Sequence, residues 1–374
     1  LRIAEWLTYT SIEQLRQLNR AYHGEELATH SKYDLIRSLL PKLGTKENYQ
    51  KQLEELPDIE SRFLQLLVFD TTSAFTMEEL LAKGRAALCK QEGEPRALVI
   101  KAIKKGWLFQ GYSQQTHYLY HVPSDTRKQV INCLLDPFRA DVMIRPPLYY
   151  RDEGYEVVCD LKKFLDFLGQ NIVRTTDGGG IYRNQLRQMM ATFSVSENLL
   201  NGKGPRFGFG RSYHLYPDRF SLLYDYAFYE KYFQENPEGY LCLVEQNFGN
   251  ILDTDKEELV INLYRFWIRL YKRPIPNLAI VLKWIGSLAH LGWFSVQTIK
   301  EIVAPWLHPF YYESEEILFA RILKMLAHLG VLRIGEESTG EQFLTLTSTG
   351  SKIFSDVSAF QEKAIDVDFI HGRD

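Results

Sequence analysis

Between positions 318 and 329 the apolar residues Leu318, Ile322, Met325, Leu326 and Leu329 recur with helical spacing, which places them along one face of an α-helix. Gly330 follows at the position where a left-handed residue ends many helices. Beyond it, "VLRIGEESTGEQFLTLT" reads as strand, polar turn and strand, so a β-hairpin is predicted. The five letters that close this helix also occur upstream, as "SLAHLGWF" at 287–294 against "MLAHLGVL" at 325–332. In the earlier copy Val281, Ile285 and Leu288 supply the helix face and Gly292 its end. A third relative, "AIKKGWLFQGYSQQTHYLYHV" at 102–122, has a helix ending at Gly106, the bulky pair Trp107 and Leu108, a polar turn and an alternating strand. Two short helices precede it, at 61–69 and 76–84, the second opened by Thr76 and Glu79 at capping-box spacing. Three helices followed by a hairpin is the order of a winged helix-turn-helix. Hairpins are therefore expected directly after Gly106 and Gly330. His290 and His328 take the place of cations at helix C-termini, where the macrodipole favours them. No carboxylate or cysteine cluster accompanies them as metal ligands would require.

The pattern divides the chain into an N-terminal helical module at 1–48, winged-helix units at 56–135, 136–250 and 255–360, and a tail at 361–374. The fold class expected is mainly α with small β-hairpins. In the N-terminal module Ile12, Leu15 and Leu18 form one apolar stripe, and Leu35, Ile36, Leu39 and Leu40 another. The middle unit contains "DLKKFLDFLGQNIVRTTDGGGIYRNQLRQMMATF", with a third helix expected over 218–233. Pro274 and Pro276 mark a break near the start of the last unit.

Composition narrows the function more by exclusion than by signal. With 374 residues and a net charge of -3, the chain has no global attraction to polyanions, so nucleic-acid binding must come from local patches. The cysteines (Cys89, Cys133, Cys159 and Cys242) are far apart, which excludes a Cys-x-x-Cys zinc knuckle and points to a reducing cytoplasm. No apolar run is long enough to span a bilayer and no signal peptide is present. The glycine clusters "TTDGGGIYRN" and "GKGPRFGFGR" lack the lysine–hydroxyl ending of a phosphate-binding loop. "RDEGY" at 151–155 has the look of an ATPase acidic motif but lacks an apolar strand before it. No nucleophile elbow or His-Glu-x-x-His occurs. Neither enzymatic activity nor a cofactor or metal is expected.

Basic patches carry the positive evidence. On the third helix of the first winged unit, Arg96, Lys101, Lys104 and Lys105 point outward if Leu98, Val99, Ala102 and Ile103 face the core; this is the groove-facing element in DNA-binding members of the fold. A solvated helix face is the competing reading. In the middle unit Arg174, Arg183, Arg187, Lys203, Arg206 and Arg211 surround the glycine turns, interleaved with Tyr182, Phe207, Phe209 and Tyr213. Arginines with exposed aromatics suit phosphate contact and base stacking; a loop packing its own aromatics is the alternative. In the last unit Glu336, Glu337 and Glu341 stand against Arg333, and the third helix is expected to expose Glu313, Glu315 and Glu316. Such a face repels phosphate and suits protein contact.

Two resemblances follow from these residues. The N-terminal layout resembles a helix–extended loop–helix module of the SAP type, which implies DNA contact through Lys32, Arg37 and Lys42. The middle stretch is similar to the central signature of bacterial helicase-associated proteins related to the non-catalytic N-terminal region of XPB-type DNA helicases. Thr176, Gly178, Gly179, Arg183 and Arg187 occupy the signature positions, with one residue instead of two between the threonine and the glycines. The closing "LTLTSTG" resembles the end of that family's later winged helix. The resemblance implies a non-catalytic DNA-binding or helicase-associated accessory protein, working on duplex or forked DNA beside a helicase or another DNA-processing protein, in the cytoplasm or on the nucleoid. The alternative is a scaffold whose winged helices dock proteins. A transcription regulator is the weakest reading, because no ligand domain is visible.

Overall fold

The computed structural model describes residues 1–23, 31–72, 74–89, 91–201, 208–355 and 365. The chain is mainly helical with small antiparallel sheets and forms two compact units, Leu1–Ala140 and Asp141–Asp374.

In the first unit, α1 (Ile3–Tyr9), α2 (Ile12–His23) and α3 (Lys32–Leu43) close around Trp6, Leu7, Leu15, Leu18, Leu35, Leu39 and Leu43. Leu15, Leu18, Leu35 and Leu39 come from the two expected stripes, whose Ile12, Ile36 and Leu40 are partly buried against the cluster, while Trp6, Leu7 and Leu43 add to it from outside them. Burying these residues together is what holds three short helices in place. α4 (Lys46–Glu55) and α5 (Asp58–Val68) lead to β1 (Phe75–Thr76), α6 (Met77–Leu88), α7 (Pro95–Lys104), β2 (Phe109–Gln110), β3 (Leu119–His121) and α8 (Ser124–Leu135). The strand order is β1-β3-β2, with Phe75 opposite Tyr120 and Phe109 opposite His121. Phe109 also enters the N-terminal cluster, so the first three helices share a core with the hairpin. α6 opens with the expected capping box: Thr76 N–H donates to the Glu79 carboxylate (2.7 Å) and Glu79 N–H to the Thr76 hydroxyl (3.3 Å). α7 crosses α6 at Gly84, where a Cβ would stand 2.9 Å from that of Pro95.

The second unit opens with β4 (Tyr149–Arg151). It continues through α9 (Glu156–Gln170), β5 (Val173–Arg174), α10 (Arg183–Met190), α11 (Asp218–Tyr229), β6 (Phe233–Glu235), β7 (Tyr240–Leu243) and α12 (Glu245–Asp253). After α13 (Lys256–Tyr271) come α14 (Leu278–Leu291), β8 (Phe294–Ser295), α15 (Val296–Val303), α16 (Glu315–His328), β9 (Leu332–Glu336), β10 (Gln342–Leu346) and α17 (Ser348–Ser355). The sheets run β5-β7-β6 and β4-β9-β10-β8. Helix, strand, helix, helix, strand, strand thus occurs three times, each time with the last strand in the middle. In the third copy β4 adds to the outer edge of β9, Tyr150 facing Gly335.

Hairpins follow Gly106 and Gly330, whose φ of +69° and +67° is the left-handed geometry expected at helix ends. The two copies of LAHLG close different helices of the same repeat, α14 and α16. The proline break falls between α13 and α14. The helix expected over 218–233 stops at Tyr229 instead: Lys231 adopts a φ of +57° and Phe233 opens β6.

Candidate nucleic-acid interface

α7 begins with proline in its first turn, where the missing N–H costs nothing. It turns Leu98, Val99 and Ala102 inward and leaves Arg96, Ile100, Lys101 and Lys104 exposed. Lys101 and Lys105 both reach the buried Glu60 of α5, at 2.7 and 2.9 Å. Burial acts to raise the Glu60 carboxyl, but the two ammonium groups more than offset it and hold it below its ordinary value. Arg96 and Lys104 make no ion pair among the described residues.

Beside α7 lies a cavity of about 610 Å³ walled by α2, α3, α4 and α7, with Lys42, Lys51, Lys101, Lys104 and Lys105 against Glu55 and Glu60. Its floor is polar. Tyr22 donates to the Lys105 carbonyl (2.7 Å), Gln52 donates to the Tyr22 hydroxyl (3.3 Å) and Trp107 donates to Gln52 (3.2 Å); burial pushes the Tyr22 phenol well up. The structure therefore brings Lys42 together with the α7 lysines, although they belong to different sequence segments. Lys32 is elsewhere, its ammonium donating to the Thr8 carbonyl (2.7 Å). Arg37 is exposed on α3 but lines no part of this cleft.

The described arginines of the middle repeat have different surroundings. Arg183 and Arg187 are exposed on α10, and Arg183 donates to the Leu200 carbonyl (3.2 Å). Arg174 lies over the Tyr240 ring at 5.6 Å. Arg211 sits 4.3 Å over Phe228, with its backbone N–H donating to Asp225 (2.8 Å). Lys203, Arg206 and Phe207 lie outside the described residues, as do most of the N-terminal connection and nearly all of the tail. Tyr182 is exposed, but Phe209 packs on Tyr271 at 4.7 Å and lies under Arg321. Phe209 is thus a packing residue and not a stacking platform.

The third helices of the three repeats differ sharply. α11 has no exposed residue; Arg219 through Ala227 are all buried. α16 exposes Glu316, Ile317, Ala320 and Lys324, with Lys324 paired to Asp218 (2.8 Å) and Glu316 to Lys300 (2.7 Å). Only α7 presents an open cationic face. The acidic character expected of the last repeat is also reduced. Glu313 is buried against Arg321 (3.1 Å), and Glu337 pairs with Arg145 (3.0 Å). Arg333 pairs with Asp152 at 2.6 Å.

One cluster escaped the sequence pattern. His328 does lie in the last turn of α16, yet it is buried, with Nδ1 3.0 Å from Glu153 of the "RDEGY" stretch. Arg219 meets Glu153 at 3.5 Å and Asp160 at 2.8 Å, and Arg151 meets Glu153 at 2.5 Å. Asp160 also accepts the N–H groups of Ser194 and Val195 (2.7 and 3.2 Å). Burial acts to raise the Glu153 carboxyl, and its cationic neighbours more than offset that and hold it low. His290, the histidine in the other copy of the repeat, is exposed. The pair therefore shares a letter but not a chemistry. Among the described residues no His, Cys, Asp and Glu group suits a metal ion, and no helix is long and apolar enough to cross a membrane.

No protein-family model, curated protein or solved structure matches the chain.

Proposed function

We propose that this chain is a non-catalytic DNA-binding protein made of three winged-helix repeats, with α7 and the cleft beside it as the contact surface. The observation that carries this reading is the contrast among the third helices: α11 is enclosed, the exposed charges of α16 are ion-paired, and α7 alone leaves exposed cations, Arg96 and Lys104, with no ion pair among the described residues. In a winged helix that element enters the groove, and lysine and arginine at its surface neutralise phosphates. The threefold helix–strand–helix–helix–strand–strand order, with its 1-3-2 strand arrangement, supports the winged-helix assignment. The similarity of the Thr176–Gly179 turn to helicase-associated proteins supports a role beside a helicase or another DNA-processing enzyme.

The remaining repeats favour a second role, docking of a protein. Tyr311 and Tyr312 beside α16 are 79% and 93% exposed, large aromatic side chains of the kind that anchor protein contacts.

Fluorescence anisotropy with a labelled duplex tests the main reading. Arg96→Ala with Lys104→Ala is expected to weaken binding at least tenfold at low salt, whereas Arg183→Ala with Arg187→Ala is expected to have a smaller effect. An unchanged affinity in the α7 variant overturns the assignment of the interface.

A further inference from the structure

A second cavity, of about 230 Å³, lies between α1, α2 and the β2–β3 hairpin. Trp6, Tyr9, Gln14, Gln17, Lys104 and Tyr112 are among the residues that line it. Lys104 also lines the larger basic cleft, so one cation belongs to both. The groove is built of flat rings and amides. Trp6 forms its inner wall and stacks on His121 with centroids 4.8 Å apart. At the mouth, Tyr9 and Tyr112 stack on each other at 4.1 Å and an interplanar angle of 15°, while each remains more than half exposed. Gln17 is exposed, and its side chain makes no hydrogen bond among the described residues. Gln14 accepts from Ser11 through its carbonyl oxygen, which leaves its amide donors turned to the groove or to solvent.

These features favour a particular ligand. A volume of this size is below the 300–1,000 Å³ of sites for drug-sized molecules and suits one planar ring system. Exposed parallel rings provide an outer face on which a further aromatic can stack, and amide side chains match the donor and acceptor edge of a nucleobase. Lys104 supplies the adjoining positive charge. In duplex DNA every base is already stacked and paired, so a ring can reach this groove only from an unpaired segment.

Resting on the DNA-binding reading above, we propose that the groove takes an unpaired base from a single-stranded segment next to the duplex held by α7, so that the protein prefers duplex–single-strand junctions to blunt DNA. The base extends the Tyr9–Tyr112 stack, its edge meets Gln14 and Gln17, and its phosphate meets Lys104.

The test uses the full chain with three labelled DNAs: a blunt duplex, the same duplex with a short thymine tail, and the same tail made abasic. The proposal predicts tighter binding to the thymine tail than to the abasic tail. Tyr112→Ala should lower affinity for the thymine tail by roughly five- to 150-fold, the range for loss of one base–aromatic stack, and leave the blunt duplex unchanged. Tyr112→Phe keeps the ring and should retain the preference; Gln17→Ala, a surface change, should reduce it. Equal binding to all three DNAs, with Arg96→Ala and Lys104→Ala still weakening each, overturns the groove assignment and leaves the DNA-binding reading intact. Equal losses on blunt and tailed DNA in Tyr112→Ala also overturn it. Absence of salt-dependent binding to any of the three overturns the reading on which it rests.

Discussion

Lys101 and Lys104 are three residues apart on one helix, yet their surroundings differ. Lys101 already faces the Glu60 carboxylate at 2.7 Å, so its charge is partly neutralised before any phosphate arrives. Lys104 has no such partner and lines both cavities. Lys104→Ala is therefore expected to weaken DNA binding more than Lys101→Ala in the same titration; the reverse order would show that Glu60 lets go of its partner when DNA binds. In the second unit Asp225 is enclosed, and burial pushes its carboxyl up to about 6 despite hydrogen bonds from Ser212 and the Arg211 backbone. The folded protein then holds this proton more tightly than the unfolded chain, where the carboxyl titrates at its ordinary 3.8. Its stabilising contribution is fully present below that value and is lost as the pH rises through 6, about 3 kcal/mol in all. Urea unfolding of wild type against Asp225→Asn should show the difference moving against wild type from pH 4 to pH 7, and a flat difference would contradict the assignment. Arg219→Met leaves Glu153 and Asp160 buried without their shared cation and should cost about 3–5 kcal/mol in the same measurement. These charges were hard to read from sequence because Glu153 and His328 are 175 positions apart. Arg219 and Asp225 did leave a trace: with Asp218 at the first position they are the three charges in a helix otherwise rich in Phe, Leu and Tyr on every side.

At the scale of elements, the long helices and the last hairpin were legible because they carry several periods of a pattern. Leu318 to Leu329 repeats its apolar face over three turns, and Leu332–Glu336 pairs with Gln342–Leu346 around a glycine-containing turn. β1, β5 and β8 have two residues each, too few for an alternation to register, and only the fold around them defines their pairing. The boundary between α11 and the β6–β7 hairpin was hidden for a different reason. Tyr229 to Phe233 continues the aromatic run of α11, and the left-handed turn at Lys231 has no glycine to announce it. Where glycine is present it can be tested. Gly330 has a φ of +67°, and a Cβ there would stand 1.9 Å from the Gly154 carbonyl oxygen. Gly340 has a φ of +83° but open space around it. Gly340→Ala should cost about 1 kcal/mol, the conformational penalty alone, and Gly330→Ala distinctly more than the 1–3 kcal/mol of a strained backbone. Equal melting temperatures for the two variants would contradict the close approach of Gly154.

Across the whole molecule, one local topology is used three times with three different exposures of its third helix. The repeat was visible in sequence because helix ends and hairpins carry glycines, whereas the division of labour was not. Whether a third helix is enclosed depends on contacts from elements far along the chain, as when α16 and α9 both pack on α11. The merging of Lys42 with the α7 lysines was hidden in the same way: α3 lies at the cleft in a fold where Leu18 and Leu43 pack close to Gly106, far along the chain. If α7 meets phosphate as proposed, the salt dependence of binding shows it most directly. Observed affinity for duplex DNA, measured across a series of salt concentrations, should fall linearly on a log–log plot, and Arg96→Ala with Lys104→Ala should make that slope shallower by about 1.8, or 0.9 for each lost contact. A slope identical in wild type and variant, or affinity that does not respond to salt, would contradict it.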